Sequence, residues 1–477
     1  MKPVVTVEEM RAIDASARDT VAESVLVERA GTAAAVAALR LMGGAYGRRV
    51  VVVAGKGNNG ADGRVAAERL ARRGARLEVV EADGAPERIG PGRDVDLVVD
   101  AAYGTGFRGE YKAPSVPAGV RVLAVDIPSG VDGETGEAHG EPLRADVTVT
   151  FAALKPGLLQ GDGPLLAGRV EVADIGLDVS RARTWVVEDA DVAARLPPRP
   201  RAAHKWQSAV AVVAGSPGMT GAAGLCAMGA YRAGAGMVRL GVPGGDPDEL
   251  PVPEAVSTAL PATGWSADAL RMAERCKALV IGPGLGRSSS TVREVRRLVE
   301  TFPGTVVVDA DGLYALGTED EAAEVLAGTE GSVVLTPHEG EFTHLTGTRP
   351  GVDHIGAALD AAAALDAVML LKGPTTVVAE PSGAVRLAVR GTPRLATAGT
   401  GDVLSGVIGA FAARGLDPLT AAALGAHVHG AAAALGRPVG LVAGDLPDLV
   451  AMWLSGSCGV SAPSGSPAQG PSGRPHD

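Results

Sequence analysis

One pattern recurs along the chain: an uninterrupted run of small apolar residues, a turn rich in glycine or ending in aspartate, then an alanine-rich segment. "RRVVVVAGKGNNGADGRVAAERLARRG" (48–74) shows all three parts, and "VDLVVDAAYGTG" (95–106), "VRVLAVDIPSGVDG" (120–133) and "ADVTVTFAALKPG" (145–157) repeat the apolar run and its turn. A strand with one wet face alternates apolar and polar residues. A strand apolar at every position is covered on both faces, as in parallel sheets flanked by helices. The chain is therefore expected to be α/β, with ligands at the carboxyl ends of its strands, where these turns fall.

The chain has 477 residues, which suits at least two domains. A proline cluster interrupts the pattern in "EDADVAARLPPRPRAAHKW" (188–206), and a new unit begins with "SAVAVVAGSPGMTGAAGLCAMGAYRAGAG". The second unit continues through "ALVIGPGLG", "TVVVDADGLYAL", "SVVLTPHEGEF" and "AVMLLKGPTTVVA". The expected domains are 1–187 and 188–454, with a Ser/Gly/Pro-rich tail over 455–477 that is expected to be disordered.

Aromatic residues are 3% of the chain against 46% hydrophobic, so its cores must be built from Ala, Val and Leu. The formal charge of −11 comes without a long Lys/Arg run, which argues against nucleic-acid and anionic-membrane partners. Backbone N–H groups can still bind phosphate in an acidic protein. The three cysteines, Cys226, Cys276 and Cys458, form neither a disulfide framework nor a zinc spacing. The first residues are charged and helical in pattern without an apolar signal core, so a cytoplasmic protein is expected.

In the first unit, "GKGNNGADG" (55–63) follows a strand and opens a helix. Its amides could cradle phosphate, or the loop could be a tight structural turn. Asp100 and Asp126 end strands, as loop caps or as functional groups. "GNNGADG", "DAAYGTGFRGE" and "VDIPSGVDGETG", with "ERAG" before and "ADVTVTFAALKPG" after, resemble the epimerase domain of NAD(P)H-hydrate repair enzymes. That resemblance implies a Rossmann-like three-layer fold with a parallel sheet. It also implies a potassium ion held by Asn59, Asp100 and Ser129. Hydrate contacts would come from Asn58, Asn59, Gly60, Ala61 and Asp62, and from Gly104, Thr105, Gly106, Phe107, Arg108, Gly109 and Glu110. Asp126 would be the acid/base at the reacting carbon. Ala61 stands where that family usually has glycine.

In the second unit, "MTGAAGLCAMGAYRAGAG" (219–236) is a small-residue helix, suited to tight helix–sheet packing or to a close ligand. Lys372 in "LKGPTTVV" (371–378) is a phosphate ligand or a solvated hairpin charge, and Asp402 in "ATAGTGDVLSG" (396–406) is a helix cap, a phosphate-site residue or a base. His427 and His429 lie two apart on a helical segment and do not form a metal pair. Together with "GSPGMTGAA", "IGPGLG", "VVDADGL" and "LTPHEGEF", these segments resemble the ADP- or ATP-dependent NAD(P)H-hydrate dehydratases of the ribokinase-like superfamily. The resemblance implies adenine-nucleotide contacts from Lys372, Gly373, Pro374, Thr375, Thr376 and Gly401. The hydrate would meet Ala222, Gly286, His338 and Asp402, with Asp402 as the catalytic base. "HKWQSA" (204–209) departs from the family's glycines at Trp206 and Ala209.

The function these resemblances imply is repair of the hydrates NADHX and NADPHX. Their R and S forms would be epimerised, and the S form dehydrated at the expense of ADP or ATP. Potassium and magnesium are the expected ions, and homo-oligomers are suggested by related assemblies. The alternative is a ribokinase-like vitamin-precursor kinase carrying a non-catalytic Rossmann-like binding domain.

Overall fold

The computed structural model describes residues 1–90, 94–246 and 252–457. The first sheet runs in the order Arg76–Glu81, Arg49–Ala54, Leu97–Ala101, Arg121–Val125, Val147–Phe151, Arg169–Ala173, with every pairing parallel. Val50, Val51, Val52 and Val53 are buried in its second strand, as an uninterrupted apolar run requires. The chain leaves Arg49–Ala54 toward one edge and returns to place Leu97–Ala101 on its other side. This reversal opens a crevice above the two strand ends. Helices Glu23–Met42 and Asn58–Ala71 cover one face. Gly31 of "ERAG" lies at their contact, where a Cβ would stand 2.5 Å from the Val65 Cβ.

The second sheet has eleven strands among the described residues. Its parallel part runs Val368–Leu371, Ser332–Leu335, Thr305–Val308, Ala278–Ile281, Ala209–Val213, Met237–Pro243, Val256–Leu260. A second reversal falls between Ala209–Val213 and Ala278–Ile281. "LKGPTTVV" is the expected strand–turn–strand: Val368–Leu371 and Thr376–Ala379 pair antiparallel, with Met369 opposite Ala379. Val385–Ala388 follows antiparallel.

Two departures from the expected boundaries stand out. Thr184–Val186 pairs with Val385–Ala388, and Lys2–Val4 pairs with Thr184–Val186, so both strands extend the second sheet although they precede residue 188. The opening segment is thus a strand before it is a helix. Helix Val7–Arg18 starts behind a reciprocal cap, in which Thr6 accepts from the Glu9 amide and Glu9 accepts from the Thr6 amide. At the other end, helix Leu446–Ser457 runs past residue 454, and the rest of the expected disordered tail, 458–477, lies outside the described residues.

The small-residue helix Thr220–Arg232 packs mainly against another helix, Thr400–Ala413, rather than against the sheet. A Cβ on Gly229 would stand 2.5 Å from the Val403 carbonyl oxygen, and one on Gly406 would collide with the Cys226 carbonyl. With few aromatics to fill space, this core closes by bringing backbones together. Gly406→Ala is expected to force the two helices apart and to cost about 1–3 kcal/mol, read as a lower midpoint in denaturant unfolding.

Candidate active sites

The first reversal point holds a cavity of about 760 Å³. It gathers Asn58, Asn59 and Asp62 from the start of helix Asn58–Ala71, the loop Gly104–Arg108, and Asp126 at a strand end. Four residues expected to contact the hydrate stay out of its wall. A Cβ on Gly60 would collide with the Gly55 carbonyl, so Gly60 serves close backbone packing. Ala61 is bound into the helix by its amide, which donates to the Gly57 carbonyl at 3.1 Å. Gly109 makes a left-handed turn at φ 113°, and Glu110 is exposed.

Asp126 itself takes a left-handed φ of 67°, rare for aspartate and strained. Its Oδ1 accepts from Thr150 Oγ1 at 3.0 Å and pairs with Lys155 Nζ at 2.8 Å. The Lys155 side chain is only 2% exposed, and its ammonium also donates to Thr150 Oγ1 and to the carbonyls of Phe151 and Ala153. The sequence signal for Lys155 was a lysine inside the apolar run "FAALKPG"; its partner only became evident in the fold. Asp62 has a different environment: burial, then the charges of Asp126 and Asp14, push its carboxyl up to about 8.

Of the three residues expected to hold potassium, Asp100 in strand Leu97–Ala101 and Ser129 are hydrogen-bonded to each other. Ser129 donates to Asp100 from its hydroxyl at 2.6 Å and from its amide at 2.9 Å. The same hydroxyl accepts from the Tyr103 amide at 2.9 Å. Neither amide atom of buried Asn59 has a hydrogen-bond partner, and a Cβ on the neighbouring Gly104 would lie 3.6 Å from the Asn59 Cβ. Burial pushes the Asp100 carboxyl up. A buried carboxylate and an orphaned amide oxygen are donors suited to a hard cation. Among the described residues no group of three or more His, Cys, Asp or Glu is placed to hold a metal ion.

The second site forms where helix Thr400–Ala413 begins. Gly399, at φ 90°, is its cap, so the cap reading of Asp402 is corrected: Asp402 is the third helical residue. Its carboxyl is pushed up to about 7 by burial, with Asp309 adding to the rise and Lys372 opposing it. Lys372 Nζ pairs with Asp309 Oδ1 at 2.8 Å and lies 3.9 Å from Glu341 Oε2, so its charge is held inside the site rather than solvated at a hairpin. Asp309 is 2% exposed and accepts from Ser405 Oγ at 2.7 Å. Gly401 lies beside the Lys372–Asp309 pair: a Cβ there would stand 3.4 Å from Lys372 Nζ, an ordinary contact.

The rest of the phosphate-loop candidate is internally engaged. Thr376 Oγ1 donates to the Gly373 carbonyl at 3.3 Å. Thr375 Oγ1 donates to the Leu159 carbonyl of the first unit at 2.5 Å, and Pro374 presses against Gly391. On the other side, Gly284 packs on Ala222, and the Gly286 amide donates to Asp311 at 2.9 Å. His338 Nδ1 accepts from the Gly340 and Glu341 amides at 3.0 and 3.2 Å, capping helix Glu339–Thr346. Its ring also lines a separate pocket of about 240 Å³ beside Arg287, Tyr314 and His344. Ala222, Gly286 and Asp402 are outside that pocket's wall.

Comparison with known proteins identifies the family. A family model described as NAD(P)H-hydrate dehydratase matches residues 210–450, and one described as YjeF-related protein N-terminus matches 23–87 and 80–157. The bifunctional NAD(P)H-hydrate repair enzyme Nnr of Moorella thermoacetica is 38% identical over 512 residues, covering 94% of this chain and 96% of that protein. The chain belongs to the bifunctional NAD(P)H-hydrate repair enzyme family. Its repair-enzyme relatives in Salinibacter ruber and Mycobacterium tuberculosis (strain H37Rv) are each 38% identical, covering 94% and 89% of this chain and 95% and 92% of theirs. A solved structure of the ADP/ATP-dependent NAD(P)H-hydrate dehydratase from Bacillus subtilis, co-crystallized with ATP/Mg2+, is 31% identical with a TM-score of 0.49, covering 57% of this chain and 97% of that one. The fold class is α/β: among the described residues, an all-parallel six-stranded sheet unit followed by a unit built on a mainly parallel eleven-stranded sheet.

The environment of Asp402 has a consequence for stability. Its folded value, about 7, lies above its ordinary 3.8, so the folded state binds the proton more tightly and loses stability as pH rises between those values. Asp402→Asn is therefore expected to raise the thermal midpoint above pH 7, with the gain shrinking to nothing as pH falls toward 3.8. Thermal unfolding of both proteins across pH measures this.

Proposed function

We propose that the first cavity epimerises NAD(P)H hydrate and that the second site dehydrates the S form with ADP or ATP. The observation that carries the second step is the placement of Asp402. It lies in the first turn of a helix, beside the Lys372–Asp309 pair, with a carboxyl poised near neutrality. The vitamin-precursor kinase alternative is not supported, because repair-enzyme relatives span both units.

The hydrate carries its hydroxyl on the carbon next to the ring nitrogen, and hydroxide is a poor leaving group. Asp402 takes the hydroxyl proton as that oxygen attacks the terminal phosphorus of the nucleotide. The Lys372 ammonium and the amides at the start of helix Thr400–Ala413 stabilise the charge on the transferred group. Electrons from the ring nitrogen then expel phosphate, and loss of the adjacent ring proton restores the dihydropyridine. Magnesium, carried mainly by the nucleotide phosphates, would neutralise their charge.

In the first cavity the nitrogen lone pair expels the hydroxyl and leaves an iminium ion, to which water returns on either face. Asp126, fixed by Lys155 and Thr150, handles the proton at that carbon. Asn59, Asp100 and Ser129 would hold potassium, which supplies fixed positive charge near the bound dinucleotide. Epimerisation feeds the R form into a stereospecific dehydratase, so two units in one chain complete the repair. We place this repair in the cytoplasm, where reduced nicotinamide nucleotides are used; no helix among the described residues is long and apolar enough to cross a membrane.

Supplying mixed R and S hydrate with ADP or ATP, and following the absorbance of restored NAD(P)H, tests both assignments. Asp402→Ala is expected to slow restoration ~10²–10⁴-fold while epimerisation continues. Asp126→Ala is expected to restore the S fraction at the normal rate and to stall on the R fraction. Restoration at the wild-type rate by Asp402→Ala would refute its role as base.

A further inference from the structure

The epimerase cavity contains more carboxyl groups than its single buried ammonium can neutralise. Asp14 comes from helix Val7–Arg18, Asp62 from the first turns of helix Asn58–Ala71, and Asp126 from a strand end, and all three line the same wall. The Lys155 ammonium is committed to Asp126 at 2.8 Å. Arg11, Arg18, Lys56 and Arg108 also line the cavity; Lys56 pairs with Asp83 at 2.8 Å, Arg108 lies 3.7 Å from Asp132, and Arg18 pairs with Glu23 at 3.2 Å and acts on Asp14. Asp62 is 7% exposed, and the charges acting on it are the negative ones of Asp126 and Asp14. Two carboxyls that line one site, with an ammonium paired to only one of them, do not readily both ionise.

We propose that Asp62 is the proton donor of epimerisation, working as the acid partner of an Asp126 carboxylate across the reacting ring. This rests on the epimerase reading of the cavity. In the R-to-S direction Asp62 gives its proton to the hydroxyl oxygen on one face. The carbon–oxygen bond breaks with its electron pair going to oxygen, which leaves as water, while the ring nitrogen lone pair forms the iminium. A water on the other face adds its oxygen lone pair to the same carbon and passes its proton to Asp126. Exchange with solvent returns the proton from Asp126 to Asp62. No oxidant, reductant or co-reactant is needed, and the opposite direction uses the same two groups with roles exchanged.

The division of labour explains why two aspartates of one cavity have such different surroundings. Asp126 is held by Lys155 and Thr150, and Asp62 is buried and acted on by two other acids. Burial raises Asp14 as well, but its neighbour Arg18 pulls its carboxyl down, so Asp14 is the weaker candidate for donor.

The test uses the full chain without nucleotide, following the interconversion of purified R hydrate to S by chromatography. Asp62→Asn should lower kcat ~10²–10⁴-fold with KM little changed, and Asp62→Glu should recover part of the loss. The wild-type rate should fall as pH rises through about 8, and the residual rate of Asp62→Asn should lose that limb. Dehydration of pure S hydrate with ADP or ATP should be normal in Asp62→Asn, which shows that the chain is folded. Asp62→Asn epimerising at the wild-type rate, or losing activity through KM alone, overturns the proposal while leaving the epimerase reading intact. A wild-type chain that does not interconvert the two forms overturns both.

Discussion

Each site of this protein is organised around one buried ammonium. Lys155 holds Asp126 in the first, and Lys372 holds Asp309 in the second. A buried charge is costly unless paired, and removing one partner of such a pair typically costs about 3–5 kcal/mol. Because each ammonium is already engaged by one aspartate, a second aspartate in the same site is left partly or wholly uncompensated. Those are Asp62 and Asp402, the two carboxyls pushed up to about 8 and about 7. A protein that must move protons near neutral pH needs groups that titrate there, and these pairs create them without histidine.

The two units are physically continuous. Lys2–Val4 and Thr184–Val186 extend the sheet of the dehydratase unit, so the epimerase segment is tied to it at both of its ends. A second tie lies nearer the chemistry. The Thr375 hydroxyl, in the turn that follows Lys372, donates to the Leu159 carbonyl, four residues beyond the lysine that fixes Asp126. Gln160 also donates to Asp353 across the same boundary at 3.4 Å. The turn that follows Lys372 and the segment that follows Lys155 therefore share one contact.

Much of this was legible in the sequence because parallel sheets put their strand ends on one side. Once the apolar runs are read as doubly buried strands, the glycine loops, Asp100 and Asp126 have to gather at the carboxyl ends of the first sheet's strands. The ammonium partners were not legible. Lys155 and Asp309 sit inside apolar runs with no local sign of what they face, and their pairing is set by the neighbouring strands and helices. Asp14 was hidden for the same reason, on a helix whose pattern shows only that it is amphipathic. The short strands Lys2–Val4 and Thr184–Val186 have too few residues to display a period, and only long-range pairing reveals them. The small-residue helix was ambiguous because glycine serves close packing and ligand access alike; Gly229 and Gly406 show packing to be its use here.

The most direct measurement of the account follows the oxygen of the hydrate. If Asp402 deprotonates the ring hydroxyl for attack on phosphorus, that oxygen leaves with the phosphoryl group. Hydrate of the S form carrying a heavy-oxygen label in its hydroxyl, repaired in unlabelled water with ADP or ATP, should deliver the label into inorganic phosphate. Label released into water, with unlabelled phosphate, would contradict the account.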